Sequence, residues 1–228
     1  MALVFLDLDG TLLAGPGAER RFAGHLLHGG VLGPPQLLQA GAFALRWWVR
    51  YGRHVWKKNK AYLAGLDTEE VARRARDFVD AVLVHELRPA MLARVSAHRA
   101  AGDACVLLTG APDFLAVPLG RRLGLAHVRA TGCARRGAVF SHAPPCPHPF
   151  GAAKLSLARA LCAAEGVALD ACTAYGDSIH DLALLSAVGH GVAVHPDGDL
   201  AAVARQRGWE CLGAGARARA RAGGPSRR

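Results

Sequence analysis

The chain has 228 residues, 51% of them hydrophobic, and a formal net charge of +10. That length can bury one sizeable core with a smaller unit inserted or appended, and the hydrophobic content excludes an intrinsically disordered chain. Six cysteines, at 105, 133, 146, 162, 172 and 211, include no C-x-x-C pair, which argues against a disulfide framework.

The cysteines read instead as reduced, cytoplasmic thiols used as small core residues. Cys133, His142, Cys146 and His148 could gather a zinc ion, but their spacing matches no familiar ligand pattern. Half of the net charge comes from arginines 217, 219, 221, 227 and 228, in a stretch from Gly213 to Arg228 that holds no acid. This Gly/Ala/Arg tail (213–228) predicts disorder, with electrostatic contact to nucleic acid or anionic lipid as the alternative to plain solvation.

In chain order, the first apolar run, Val4 to Leu6, ends in Asp7 and Asp9 and is followed by Gly10 and Thr11. Such a run reads as a buried parallel strand delivering acids to its C-terminal edge, where open α/β sheets place their chemistry. Residues two apart on a strand point the same way, so Asp7 and Asp9 converge. Their mutual repulsion calls for a hard divalent cation such as Mg²⁺, and a metal lets one carboxylate attack while the other moves protons. The local alternative is a hairpin turn at Asp9-Gly10. An EF-hand loop is a poor fit, because starting it at Asp7 puts Gly10 at position 4 and Ala18 at position 12. Asp7 also interrupts the opening apolar run, so no signal peptide is expected.

Residues 14 to 88 predict helices only: one from about Ala18 to His28, one from Gln36 towards Leu63 broken at Gly52, and one from Thr68, as N-cap, to about His85. Phe22 to Leu45 carries no charged side chain, but five Gly and Pro residues between 29 and 35 break it, so packed helices are expected there and no transmembrane segment. Arg46, Arg50, Arg53, Lys57 and Lys60 then recur beside Trp47, Trp48, Tyr51 and Trp56. This basic stripe predicts a solvated face over packed aromatics; anion steering, nucleic acid and a membrane surface are the alternatives.

From Pro89 the pattern alternates between helix and strand, as in a parallel sheet with crossovers. A helix to Ala101 precedes a strand at Ala104–Leu108, which runs into Thr109 and Gly110, with Pro112 expected in the first turn of the next helix. Thr109 and the adjoining N–H groups then form a candidate anion cradle. A strand near Val128–Thr131 and a hairpin around 135–140 follow. Lys154 falls in the first turn of the next helix, where a cation opposes the dipole, so an anionic partner is expected. The strand at 173–175 runs into Asp177 and Asp181, four apart and one helical turn from each other; the bland reading is a helix cap at Asp177 or Ser178. A last strand at 192–194 precedes His195-Pro196-Asp197 and a final helix to Arg207.

The ordered set of two Asp, one Thr, one Lys and two Asp resembles the haloacid-dehalogenase superfamily, and its phosphoserine-phosphatase-like branch in particular. Asp7-Leu8-Asp9-Gly10-Thr11 is similar to its first motif, Thr109 to its second, Lys154 to its third and Gly176 to Asp181 to its fourth. The resemblance implies an α/β fold: a Rossmann-like parallel sheet core (1–13 and 89–212) with an inserted α-helical type-1 cap (14–88). It implies a cytoplasmic phosphatase acting on a small phosphorylated metabolite of the phosphoserine or histidinol-phosphate type, with no specific nucleic-acid partner. Asp7 would be the nucleophile and Asp9 the general acid and base. Thr109, Gly110 and Lys154 would hold the phosphoryl group, and Mg²⁺ would be held by Asp7, Asp9 through its carbonyl, and Asp177, with Asp181 in support. A phosphotransferase using the same aspartyl-phosphate, or a basic surface-binding protein, is the alternative. Two positions depart from phosphoserine phosphatases: the nearest acid after the first motif is Glu19, displaced from the expected place, and His195 stands where Asn is expected.

Overall fold

The N-terminal apolar run becomes β1 (Leu3–Leu6), buried along its whole length. A computed structural model of the chain describes residues 1–213, so the predicted disordered tail lies, from residue 214 on, outside the described residues. The other strands are β2 (Ala104–Pro112), β3 (His127–Thr131), β4 (Arg135–Arg136), β5 (Val139–Phe140), β6 (Thr173–Gly176), β7 (His190–Val194) and β8 (Glu210–Leu212). Six of them form one sheet in the order β3-β2-β1-β6-β7-β8, with every neighbouring pair parallel. The fold is α/β, as the alternating pattern predicts. β1 lies between β2 and β6, so Asp9-Gly10 cannot be a hairpin turn; the loop instead closes on itself through Leu13 N donating to Leu8 O at 2.8 Å.

Parallel neighbours require crossovers, and helices supply them. Between β1 and α5 (Pro89–Ala100) lie α1 (Ala18–His28), α2 (Pro34–Tyr51), α3 (Val55–Lys58) and α4 (Thr68–Ala81), with short 3₁₀ turns after α2, α3 and α4. Later come α6 (Asp113–Arg122), α7 (Ala152–Glu165), α8 (Leu182–Leu185) and α9 (Gly198–Arg207). Pro34 and Pro35 open α2, where a missing N–H costs nothing. The N-cap of α4 is Asp67 and not the expected Thr68: its carboxylate accepts from Glu69 N at 3.0 Å and Glu70 N at 2.8 Å. No helix among the described residues is long and apolar enough to cross a membrane.

Alternation along β1 divides the core. Val4 and Leu6 join a cluster that holds Phe22 of α1, Phe78 of α4 and Phe114 of α6, whereas Leu3 and Phe5 face Leu161 of α7 and Leu185 of α8 on the other side of the sheet. Phe22 lies 5.5 Å from Phe78 and 5.6 Å from Phe114, ring centre to ring centre, so α1 and α4 are packed into the sheet's own core. A separate small cluster of Phe43, Ala44, Val55 and Ala61 holds α2 and α3 together.

The basic stripe departs from expectation. Arg46, Arg50, Arg53 and Lys57 are exposed, and Trp47 and Tyr51 pack on the small cluster, but Trp48 and Trp56 stand 52% and 62% exposed. Lys60 turns inward and is buried. Two breaks separate Lys60 from the stripe: the 3₁₀ turn at Gly52–His54, and the end of α3 at Lys58, after which Asn59 is extended.

Candidate active site

The C-terminal ends of β2, β1 and β6 lie side by side, and each carries a predicted site residue. Asp7 follows β1 directly, its N–H donating to Tyr175 O at 3.1 Å and so extending the ladder to β6. Its carboxylate is buried and meets Lys154, whose Nζ donates to Asp7 Oδ1 and to Asp181 Oδ1, both at 2.6 Å. The anionic partner expected for a lysine in the first turn of α7 is therefore two carboxylates. Asp7, Asp177 and Asp181 each place a carboxylate oxygen within 4.8 Å of the others.

Burial sets the electrostatics. It pushes Asp7 from 3.8 up to about 7, against the opposing pull of Lys154, and Asp177 up to about 6, with the Asp181 charge adding to the rise. Burial alone would lower the Lys154 ammonium, but Asp7 and Asp181 outweigh it and hold it above its ordinary value. Three carboxylates against one ammonium leave an uncompensated negative charge in a set of hard oxygen donors, which fits a divalent cation of the magnesium type.

Backbone shape makes this approach possible. Gly10 has φ +85°, and a Cβ there would fall 2.0 Å from Asp177 Oδ2. At Gly176 a Cβ would fall 2.7 Å from Asp181 Cβ.

Asp9 leaves this cluster. Its Oδ1 accepts from Ala18 N at 2.7 Å, so the carboxylate sits at the start of α1; burial raises its pKa while that N–H opposes the rise. Asp9 nevertheless lines the same cavity as Asp7, Thr109, Gly110, Lys154 and Asp177, a space of about 440 Å³. All the predicted site residues thus converge on one cavity.

The sequence pattern of the haloacid dehalogenase-like hydrolase family matches residues 4–186, from β1 to just past α8. The chain belongs to this family. Among relatives of this haloacid dehalogenase-like hydrolase, a putative hydrolase of Mycobacterium leprae (strain TN) is 33% identical over 154 residues, 68% of this chain and 51% of that protein. The phosphoserine phosphatase SerB1 of Mycobacterium tuberculosis (strain ATCC 25618 / H37Rv) is 32% identical over 154 residues, 68% of this chain and 50% of that protein. The chain therefore spans about half the length of these relatives. A crystal structure of a protein of unknown function from Bordetella pertussis Tohama I superposes with a TM-score of 0.77 at 28% identity, covering 92% of this chain and 97% of that one.

Two local expectations need correction. Thr109 does not end its strand beside a helix N-terminus. β2 runs on to Pro112 through an irregularity after Leu108, α6 starts only at Asp113, and the Asp113 carboxylate already accepts from Phe114 N at 2.8 Å. Thr109 Oγ1 accepts from Ala111 N at 3.0 Å, while Thr131 donates to Gly110 O at 2.7 Å, so a bulged strand fixes this corner. Asp177 and Asp181 are likewise not one α-helical turn apart: Asp177 lies in the loop after β6 and Asp181 in a 3₁₀ turn at Ile179–Asp181, with neither Asp177 nor Ser178 capping it by a side chain. The zinc alternative has no counterpart, because Asp7, Asp177 and Asp181 form the one candidate metal cluster among the described residues.

Other residues of this haloacid dehalogenase-like hydrolase also reach the cavity: Glu19, the displaced acid, and Trp56 and Lys57 of the basic stripe, together with Arg20, Phe150 and His180, which the sequence did not single out. The Phe150 and His180 rings lie 4.5 Å apart, centre to centre, tilted by 44°. Asp197, the N-cap of α9, donates its N–H to Asp177 O at 2.8 Å and accepts from Ile179 N at 3.0 Å, which ties the Asp177 loop down. Only a pairing of distant segments could have revealed these contacts.

Proposed function

We propose that this chain is a phosphomonoesterase acting on a small phosphorylated metabolite, carried by one observation: a buried lysine joins Asp7 to Asp181 at the floor of a cavity whose wall holds Asp9. Asp7 attacks phosphorus, the bond to the leaving alkoxide breaks, and Asp9 donates the proton that the alkoxide takes. Water then attacks the aspartyl-phosphate, Asp9 takes its proton, and inorganic phosphate and free Asp7 result. A pKa raised by burial suits Asp9 to the first, proton-donating step. Thr109, Gly110 and Lys154 hold the phosphoryl group, and Lys154 favours the ionised form of Asp7 that the attack needs.

Asp7, Asp177, the Asp9 carbonyl and, in support, Asp181 would hold Mg²⁺. Bound there, it would neutralise the carboxylates and the phosphoryl oxygens. The helical block 14–88 serves as a cap over the core 1–13 and 89–212, a division supported by the cavity's having walls from both. The unpaired cysteines support a reducing, cytoplasmic setting.

Phosphate release from a panel of phosphomonoesters, with and without Mg²⁺, tests this reading with wild type and Asp7→Asn in parallel. Turnover that requires Mg²⁺ and is lost in a folded Asp7→Asn variant is expected. Full activity in that variant would remove Asp7 as nucleophile, and transfer of phosphate to an added alcohol in preference to water would replace the hydrolase with a transferase.

A further inference from the structure

Apart from Asp9 and the carboxylates around Asp7, the cavity holds one acid, Glu19, and it is already engaged. Lys60 Nζ donates to Glu19 Oε2 in a short ion pair, and Tyr62 OH donates to Glu19 Oε1 at 2.9 Å. Lys60 is only 3% exposed, so its charge is committed to Glu19. Burial and the Glu19 charge raise the Tyr62 hydroxyl well above its usual range, so it stays a proton donor. Both oxygens of the single cavity carboxylate outside the proposed catalytic and metal-holding set are thus taken by the chain itself.

The cations on the same wall are not engaged in this way. Arg20 and Lys57 line the cavity, are exposed, and among the described residues have no carboxylate within 4.0 Å. Lys57 Nζ rests 5.5 Å from the centre of the Phe150 ring, and both residues line the cavity. An ammonium placed there would meet Lys57, Arg20 and the buried Lys60 with no free carboxylate. An anion would meet two cations that have no carboxylate partner of their own among the described residues.

We propose that the leaving group of the substrate carries a second anionic group, a carboxylate or a phosphate, and no ammonium group, with Lys57 and Arg20 as its receptors. This rests on the phosphatase reading above and narrows it away from amino-alcohol phosphates. Lys57 and Arg20 select the substrate and take no part in bond breaking.

Steady-state kinetics with four probes tests it: phosphoglycolate and 3-phosphoglycerate, which carry a second anion; phosphoethanolamine, which carries an ammonium; and p-nitrophenyl phosphate, which carries neither. kcat/KM for the two anionic probes is expected to exceed that for phosphoethanolamine by about tenfold or more, the scale of one charge-assisted contact. Lys57→Ala is expected to erase most of that ratio through KM for the anionic probes. Lys60→Met, which frees Glu19, is expected to raise kcat/KM for phosphoethanolamine; the wild-type panel and the exposed Lys57 site keep the test valid if that buried substitution unfolds the chain. Turnover of p-nitrophenyl phosphate with phosphoethanolamine equal to or better than phosphoglycolate overturns this inference alone. No turnover of any probe overturns the phosphatase reading and the inference with it.

Discussion

Replacing Lys154 by Met removes the one ammonium inside the carboxylate cluster while keeping most of the side chain's volume. Lys154 has a side chain only 6% exposed and makes two bonds of 2.6 Å, to Asp7 and Asp181. Deleting one side of a buried ion pair costs about 3–5 kcal/mol, mostly because charges are left buried without a partner. Against a typical stability of about 5–15 kcal/mol this is a large loss. Urea unfolding in EDTA should show it directly as a lower midpoint with an unchanged slope. Millimolar Mg²⁺ should then stabilise Lys154→Met more than wild type, because added cation replaces a charge that the variant has lost. A loss below about 1 kcal/mol in EDTA would refute the reasoning, since a pair that weak belongs to an exposed surface site.

Three further outcomes follow from particular contacts. Gly10→Ala should destabilise by at least about 1–2 kcal/mol from left-handed backbone strain alone, and should also abolish phosphate release, since the new methyl would displace the Asp177 carboxylate; a variant with wild-type activity contradicts the geometry. Asp67→Ala should cost about 1 kcal/mol through loss of the α4 N-cap, while Thr68→Ala should cost less; urea midpoints of the pair decide. In metal-free protein, burial raises Asp7 to about 7 and Asp177 to about 6, above their unfolded 3.8, so the folded chain binds more protons between those limits. The resulting contribution to stability is complete below pH 3.8 and lost as pH rises through about 7. The stability of wild type relative to Asp7→Asn in EDTA should accordingly fall between about pH 4 and pH 7, and a flat difference would count against the burial of Asp7.

The four stations of the site were legible in the sequence because each is a local event. Asp7, Thr109 and Asp177 each come at or near the end of an apolar strand, and Lys154 sits where a helix dipole disfavours it. What escaped has physical causes. β8 is only three residues long and half-exposed, with too little pattern to read. The extension of β2 past Thr109 depends on an irregularity in its pairing with β3, which is a tertiary property. Lys60 reads as one more member of a basic stripe, but α3 ends at Lys58 and Lys60 turns inward beyond it; its partner Glu19 lies 41 residues earlier in the chain. Spacing within an element predicts neighbours; spacing between elements does not.

These same contacts separate the parts of the helical block by how they are tied. Asp9 takes the N–H of Ala18, the first residue of α1, and α1 in turn is fixed by Phe22 against Phe78 and Phe114. The position of the proposed general acid therefore depends on aromatic packing that is part of the sheet's own core, so α1 and α4 cannot swing away without disturbing Asp9. α2 and α3 have a different footing: a small cluster of their own, with the Glu19–Lys60 pair and the Lys57–Phe150 contact at the cavity. Trp56 and Lys57 ride on that segment. On the proposed reading, the groups facing the phosphoryl end are thus held by the sheet's own core, and those facing the leaving group by a segment with a separate small core. Substrate choice can change there by substitution on α3 without moving a single residue of the Asp7, Lys154 and Asp181 cluster.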